Sequence, residues 1–254
     1  MRRREITLRG LWIFYIGCPT HPVNNFRKPG GCDERLTGTG MPEVIFNGPE
    51  GRLEGRYHHC KKEGAPIAII LHPHPKHGGS MNNKVVYTLY NTFARRNFSV
   101  LRFNFRGVGR SQGVYDDGIG ELSDAASALD WMQGLNQSAS ACWVAGFSFG
   151  AWIGMQLLMR RPEIRGFIAV APPAASQDFS FLAPCPSSGL FINGSQDQVV
   201  APESIAKLAG KLQNQKNISI EHKVIDGADH FFKDQLGDLD RLAGGYLDRS
   251  PEAK

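Results

Sequence analysis

CWVAGFSFGAWIGM, residues 142–155, is the segment most diagnostic of the fold. It begins as an apolar run of strand length and continues from Ala151 as a helix, and between them lies a G-x-S-x-G motif at residues 146–150. A serine at so sharp a turn adopts a strained backbone, and only glycine fits beside it because neighbouring turns pass very close. The motif occurs by chance in many proteins, but a strand before it and a helix after it favour a nucleophile. We therefore predict that Ser148 carries an activated hydroxyl and that the N–H of Phe149 points to a developing oxyanion.

Strand-like and helix-like segments alternate along the rest of the chain. From residue 66 onward, apolar runs of strand length are followed by segments with apolar residues at helical spacing, which is typical of a parallel, doubly wound sheet with right-handed crossovers. We predict a single α/β domain over residues 41–254, built on a mostly parallel sheet of about eight strands. Such sheets bind ligands at the carboxyl ends of their strands. The predicted strands are residues 44–46, 52–57, 66–71, 98–105, 142–147, 166–171, 189–193 and 218–225, and the predicted helices are residues 82–96, 122–135, 151–161, 204–212 and 235–247.

Composition and charge exclude several classes of protein. The 254 residues suffice for one large domain with a well-covered core. Of the net charge of +5, residues 1–40 hold +4, so the remainder is close to neutral and offers no electrostatic reason to expect nucleic-acid binding. No apolar run approaches the roughly 18 residues that span a bilayer. The five scattered cysteines, with no C-x-x-C, favour a reducing compartment, and we expect a cytoplasmic protein.

The first 40 residues differ in character from the rest. MRRRE at the start and LWIFYIGC at residues 11–18 imitate the charged and apolar regions of a signal peptide. The apolar run is only eight residues long, and Tyr15 is a poor residue so close before Cys18 for lipoprotein processing. We therefore expect residues 1–40 to be a poorly ordered extension, such as a start codon assigned too early would add.

The histidines that follow Ser148 include the candidate base. A serine becomes a good nucleophile only with a histidine base, and the histidine needs an acid that holds its tautomer. Two histidines follow Ser148, namely His222 and His230. His222 falls within a predicted strand, whereas His230 lies in the loop GADHFF after that strand. His230 is therefore the predicted base.

The candidate acid is Asp197, in the loop NGSQDQVV directly after a predicted strand. This position puts it at the same carboxyl edge of the sheet as Ser148. The same sequence would also suit an aspartate that caps a turn. Asp178 follows the preceding strand and is the second candidate, and Asp229 is expected to point away from its neighbour His230.

Five motifs together resemble the α/β-hydrolase superfamily: IILHPHP, RFNFRGVGRSQG, GFSFG, NGSQDQVV and GADHFF. Within it, the chain is similar to the small, lidless bacterial hydrolases related to dienelactone hydrolases and to the catalytic domains of Xaa-Pro dipeptidyl-peptidase-like enzymes. The resemblance covers about residues 43–248 and leaves residues 1–40 without a counterpart. It implies the α/β-hydrolase fold and the chain order Ser148, Asp197, His230 for the catalytic residues. Dienelactone hydrolases use a cysteine nucleophile, so Ser148 argues against that activity.

The loop HPHPKHGGS, residues 72–80, follows the third predicted strand. In the superfamily that the chain resembles, this loop supplies the second donor to the oxyanion. Because Pro73 and Pro75 have no N–H, the backbone of His74 is the expected donor. The residues expected to line the pocket are His72, His77 and Phe147.

The same loop has an alternative interpretation as a metal site. Its H-x-H-x-x-H spacing comes close to the H-x-H-x-D-H of metal-dependent hydrolases, but Lys76 stands where aspartate is needed. A cation beside a cation is unfavourable, and such a hydrolase would need further His and Asp ligands and a different fold. We expect neither a metal nor a cofactor.

The sequence thus predicts a serine hydrolase that acts on a small ester or thioester by acyl transfer. A serine peptidase of dipeptidyl-peptidase type and a non-catalytic relative of the fold remain as alternatives. The expected partner is a small-molecule substrate, and neither nucleic acid nor a membrane.

Overall fold

The structure, a computed structural model, describes residues 42–253, and the predicted extension over residues 1–40 lies outside this part of the chain. None of the helices within residues 42–253 is both long and apolar enough to cross a bilayer. The strands are β1 (Glu43–Gly48), β2 (Gly51–His58), β3 (Ile67–Leu71), β4 (Ser99–Phe103), β5 (Cys142–Phe147), β6 (Ile164–Val170), β7 (Ser188–Gly194) and β8 (Ile220–Ile225). The helices are α1 (Lys84–Ala94), α2 (Ile119–Leu135), α3 (Phe149–Arg160), α4 (Pro202–Gln213) and α5 (Leu236–Arg249), with short 3-10 helices at Pro75–His77, Ser180–Leu182 and Pro251–Ala253.

The described part of the chain forms one eight-stranded sheet in the order β1-β2-β4-β3-β5-β6-β7-β8. The pairs β1–β2 and β2–β4 are antiparallel, and all the pairs from β4 to β8 are parallel. The predicted mostly parallel, doubly wound α/β sheet is therefore confirmed. The carboxyl ends of the parallel strands share one edge, and loops that follow them can meet there.

Burial on both faces explains the continuous apolar runs, as β3 illustrates. Its five residues are all 0% exposed, and their side chains alternate between two cores. Ile67, Ile69 and Leu71 pack into the core shared with α2, α3 and α4, whereas Ala68 and Ile70 pack into the core shared with α1 and α5. Burial of each large aliphatic side chain contributes about 2 kcal/mol. A parallel strand that is buried on both faces therefore favours apolar residues along its whole length, as in β3.

Several element boundaries near the functional edge differ from prediction, among them those of β4 and α2. β4 ends at Phe103 rather than at residue 105. α2 begins at Ile119, before the predicted start at residue 122. The earlier start follows from the Glu121 carboxylate, which accepts the N–H groups of Gly118 at 2.8 Å and Asp116 at 3.1 Å and so closes the first turn.

The connection between β6 and β7 packs into the body of the domain. Residues 171–187 contain a single 3-10 turn. Phe179, Leu182 and Cys185 are 8%, 0% and 4% exposed, and all three belong to the core shared with α4. This connection therefore does not form a separate lid.

Candidate active site

Ser148 lies on a strained turn between β5 and α3. Its backbone has φ 52° and ψ −118°, a conformation that costs a residue with a side chain on the order of 1–3 kcal/mol. The turn is held because the N–H of Ser148 donates to the carbonyl oxygen of Val170 at 2.8 Å. A Cβ at Gly146 would collide with the backbone of Gly150, and a Cβ at Gly150 would collide with the carbonyl oxygen of Leu71. The two glycines of the motif are therefore required by close backbone packing.

The structure places His230 within hydrogen-bond distance of both Ser148 and Asp197. The Ser148 Oγ is 3.2 Å from the His230 Nε2, and the His230 Nδ1 is 2.8 Å from the Asp197 Oδ2. The other carboxylate oxygen of Asp197 accepts the N–H groups of Val199 at 2.9 Å and Val200 at 2.8 Å. These two donors orient the carboxylate, so its Oδ2 is left to accept the Nδ1–H of His230. That bond selects the tautomer in which Nε2 is unprotonated and faces the serine hydroxyl.

The loops that carry Asp197 and His230 are joined to each other behind the site. The N–H of Gln196 donates to the carbonyl of Ala228 at 3.0 Å. Gly194 has no side chain because a Cβ there would collide with the same carbonyl oxygen. The loops after β7 and β8 are thus fastened to each other, which helps to hold the carboxylate and the imidazole side by side.

The sequence predicts that Phe147 lines the pocket, but the structure buries its side chain beneath His230. The Phe147 side chain is 0% exposed, and its ring centroid is 5.0 Å from that of His230. It is the last residue of β5, where the strand is still buried on both faces. The adjacent Phe231 is 56% exposed, and its ring centroid is 5.2 Å from that of His230. Phe231 therefore contributes the exposed apolar surface that was expected of Phe147.

His72 is also wrongly predicted to line the pocket, because its side chain is 0% exposed. The backbone N–H of Phe105 donates to the His72 Nε2 at 3.0 Å. Since Nε2 accepts, Nδ1 carries the proton of the neutral ring, and it lies 2.6 Å from the carbonyl oxygen of Pro73. Burial lowers the pKa of His72 to about 4, although the bond to Pro73 opposes the shift. With both ring nitrogens engaged, His72 is a neutral structural residue and not a metal ligand.

His74 and His77 lie on the surface side of the same loop, with ring centroids 4.4 Å apart. The His74 Nδ1 accepts the N–H of Lys76 at 3.2 Å, and the ring lies 5.1 Å from that of Phe149, so the loop reaches the turn that bears Ser148. Partial burial lowers the pKa of His74, helped by the nearby charges of His77 and Lys76 and opposed by Asp117. Within residues 42–253, no group of three or more His, Cys, Asp or Glu side chains is arranged to hold a metal ion.

Tyr115 is a site residue that sequence reasoning missed. Its hydroxyl is 3.1 Å from the His74 Nε2, and its ring faces both the Nζ of Lys76, at 4.4 Å, and the ring of Phe149, at 6.1 Å. Tyr115 stands in an irregular loop before α2, where no periodicity marks a residue. Only the tertiary contacts show that its side chain packs over residues 72–80, here called the H-P-H-P loop.

A buried ion pair holds the segment that carries Tyr115. The Asp124 carboxylate, 0% exposed, accepts the backbone N–H of Arg106 at 2.9 Å and its Nη2 at 2.8 Å. The hydrogen bonds that the Arg106 guanidinium donates to Asp124 raise the pKa of Arg106. A Cβ at Gly120 would collide with the guanidinium, so the first turn of α2 packs directly on it. The pair joins the loop after β4 to α2 at the functional edge.

The other candidate residues lie apart from Ser148. The Asp178 carboxylate caps a turn by accepting the N–H and the Oγ–H of Ser180, both at 2.8 Å, and these bonds lower the pKa of Asp178. The His222 Nε2 lies 2.6 Å from the Asn193 Oδ1 on the sheet. The Asp229 Oδ1 accepts two backbone N–H groups of its own loop at 2.9 and 3.2 Å.

A doubly wound sheet with a serine on a strained strand-to-helix turn defines an α/β protein of the hydrolase class. A model of the X-Pro dipeptidyl-peptidase (S15) family matches residues 57–181. The chain is 50% identical, over 82% of its length and 89% of the other, to an uncharacterised protein from Rickettsia prowazekii. It is 61% identical to a protein of unknown function from Agrobacterium tumefaciens, regarded as an α/β hydrolase, whose crystal structure has a TM-score of 0.80 and matches over 82% of this chain and 95% of that one.

A third relative is XC6422 from Xanthomonas campestris, an α/β serine hydrolase without a lid. It is 31% identical with a TM-score of 0.75, over 84% of this chain and 96% of that one. The chain belongs to the α/β serine hydrolase family.

Proposed function

We propose that the protein hydrolyses a small ester or thioester through an acyl-enzyme formed on Ser148, with His230 as general base and Asp197 as the residue that orients it. The observation that carries the proposal is the unbroken chain of contacts from the Ser148 Oγ to His230, at 3.2 Å, and from His230 to Asp197, at 2.8 Å. Both partner side chains are almost fully buried, whereas Ser148 is partly exposed, so the nucleophile can meet a substrate.

The reaction has two halves that use the same residues. The Ser148 Oγ attacks the carbonyl carbon while the His230 Nε2 takes its proton, and the carbonyl π electrons move to oxygen. As the C–O or C–S bond breaks, the imidazolium returns the proton to the leaving group. A water molecule then repeats the attack on the acyl-enzyme, and Ser148 regains its proton through His230. No cofactor takes part in this scheme.

The oxyanion is stabilised by the backbone N–H groups of Phe149 and His74. Phe149 is the first residue of α3, where an N–H has no acceptor within the helix. The positive end of the helix dipole lies at the same place. His74 is the second donor in this proposal because it lies between two prolines that have no N–H. Its ring centroid is 5.1 Å from that of Phe149, so its loop lies next to the serine turn. Removal of one such donor typically costs a factor of about 100 to 1,000 in kcat.

The preference for a small, partly apolar substrate is supported by the rim of the site. Phe231 is 56% exposed beside His230, and Val199 is 65% exposed beside Asp197. Exposed apolar side chains next to a reacting group favour an organic substituent over water. The connection between β6 and β7 is packed into the core, which leaves the nucleophile open to solvent and to small substrates.

A serine peptidase of dipeptidyl-peptidase type is the second candidate. The observation that favours it is the match to the X-Pro dipeptidyl-peptidase family model over residues 57–181. This range includes the H-P-H-P loop and Ser148 but neither Asp197 nor His230. A panel of p-nitrophenyl esters against an Ala-Pro p-nitroanilide separates the two, because the first proposal requires turnover of the esters and little of the amide.

Labelling by a fluorophosphonate probe tests whether the site is catalytic at all. We expect the wild-type chain to be labelled and Ser148→Ala to lose the label completely. Ser176→Ala is the matched control, because Ser176 is an exposed serine in the β6–β7 connection, and it should keep the label. A wild-type protein that takes no label would point instead to a non-catalytic relative of the fold.

We also propose that the protein works in a reducing compartment. Cys60, Cys142 and Cys185 are free within the described residues, which supports the proposal of a reducing compartment such as the cytoplasm.

A further inference from the structure

His72 is a fully buried histidine that the proposed reaction does not use. Its ring bridges two loops at the functional edge, with Nε2 accepting the N–H of Phe105 and Nδ1–H donating to the carbonyl of Pro73. The tautomer is imposed by the partners, since an N–H can only donate and a carbonyl can only accept. A neutral histidine with both ring nitrogens engaged is a rigid support.

The carbonyl that His72 holds belongs to the Pro73–His74 peptide unit, and the N–H of His74 is the other end of that same unit. A peptide unit is planar, and in the trans form that this bond adopts, its C=O and N–H point in opposite directions. A hydrogen bond that fixes the carbonyl oxygen therefore also fixes the direction of the N–H. We propose that His72 is a positioning residue that aims the His74 N–H at the oxyanion, an inference that rests on the proposed function.

The rest of the loop leaves this peptide unit little freedom except rotation of its plane. Pro73 and Pro75 restrict their own φ angles and confine the preceding residues to extended conformations. His74 has φ −51° and ψ 121°, in agreement with that restriction. Gly79 packs against the carbonyl side, where its N–H donates to the His74 carbonyl at 3.1 Å and a Cβ would collide with the Pro73 oxygen.

The bond also changes the strength of the donor. A carbonyl that accepts a hydrogen bond polarises its peptide unit, and the N–H at the other end becomes a better donor. The 2.6 Å separation of the His72 Nδ1 from the Pro73 oxygen is short for such a pair. The direction and the polarisation of the His74 N–H both stabilise the transition state, where the oxyanion develops, more than they stabilise the bound substrate.

The two ring nitrogens of His72 can be tested separately. Nδ1 stands two bonds from Cβ, as does the amide nitrogen of asparagine, whereas Nε2 stands three bonds from Cβ, as does the amide oxygen of glutamine. His72→Asn can therefore keep a donor to Pro73 and lose the contact with Phe105. His72→Gln can keep an acceptor for Phe105 and lose the bond to Pro73. The two variants place similar polar groups in the same buried site.

Steady-state kinetics on a p-nitrophenyl ester is the test. We expect His72→Gln to lower kcat by about 10- to 100-fold with KM changed less than about threefold, because a misdirected donor loses part of the stabilisation that an oxyanion contact provides. The loss in His72→Asn should be at least about tenfold smaller. Affinity for a phenylboronic acid, which forms a tetrahedral adduct on the serine, should fall in parallel with kcat.

Equal losses of kcat in both variants, or an undiminished kcat in His72→Gln, would overturn the inference. The proposed function would still stand as long as the fluorophosphonate labels Ser148 in the wild-type chain. A wild-type chain that takes no fluorophosphonate label would remove both. If neither variant folds, ¹⁵N NMR of the wild-type His72 ring at pH 7 decides: a proton on Nδ1 supports the inference, and a proton on Nε2 refutes it.

Discussion

The buried imidazole of His72 should make the protein lose stability in mild acid. Burial lowers the pKa of His72 from an ordinary value of 6.5 to about 4 in the folded chain. Between these values the unfolded chain binds a proton that the folded chain does not, so the free energy of unfolding falls as the pH falls through this window. The difference of about 2.5 between these pKa values corresponds to a loss of about 3 kcal/mol once the pH reaches 4, because the fully buried ring is not screened by solvent.

Urea unfolding followed by circular dichroism at pH 7.5, 6, 5 and 4 measures this loss. His72→Asn is the control, because it cannot titrate in this range. Burial also lowers the pKa values of His58, His74 and His222, but these residues are present in both proteins and their contributions cancel in the difference. The stability difference between wild type and His72→Asn should shrink by about 3 kcal/mol from pH 7.5 to pH 4. A difference that stays constant to within about 1 kcal/mol would refute the assignment of a neutral, buried His72.

Three further predictions concern the catalytic site and its support. Asp197→Asn should lower kcat by about a thousandfold or more at constant stability, because an amide NH₂ cannot accept the Nδ1–H of His230 and the wrong tautomer is favoured; a loss under tenfold in an ester assay would contradict the role of Asp197. Asp124→Asn should lower the free energy of unfolding by about 3–5 kcal/mol, since it leaves Arg106 without its buried counter-charge, whereas Asp130→Asn, which removes a 65% exposed carboxylate from an ion pair, should cost under about 1 kcal/mol; equal denaturation midpoints for the two variants would show that burial does not matter here. Incubation with EDTA should leave ester turnover unchanged, and a loss that added zinc restores would return the H-x-H-x-x-H loop to consideration as a metal site.

The elements and the nucleophile position follow from local sequence because their causes are local. Burial on both faces favours an unbroken apolar run, as β3 and β5 have, and that run is visible in the sequence without any partner. The glycines on either side of Ser148 indicate a turn in which the neighbouring backbone comes too close to leave room for a side chain. Asp197 and His230 were predicted from their places after strands, since parallel strands bring their carboxyl ends to one edge.

The α/β class, the alternation of strands and helices, and the chain positions of Ser148, Asp197 and His230 can therefore be predicted from the sequence. Other features become visible only in the folded chain: β4 lies between β2 and β3, His72 is buried while His74 faces the serine turn, and Tyr115 packs over the loop of residues 72–80. The physical reason is distance along the chain. The partner of His72 is 33 residues away and that of Tyr115 is 41 residues away, and whether a polar ring is buried depends on a partner that only the folded chain brings to it.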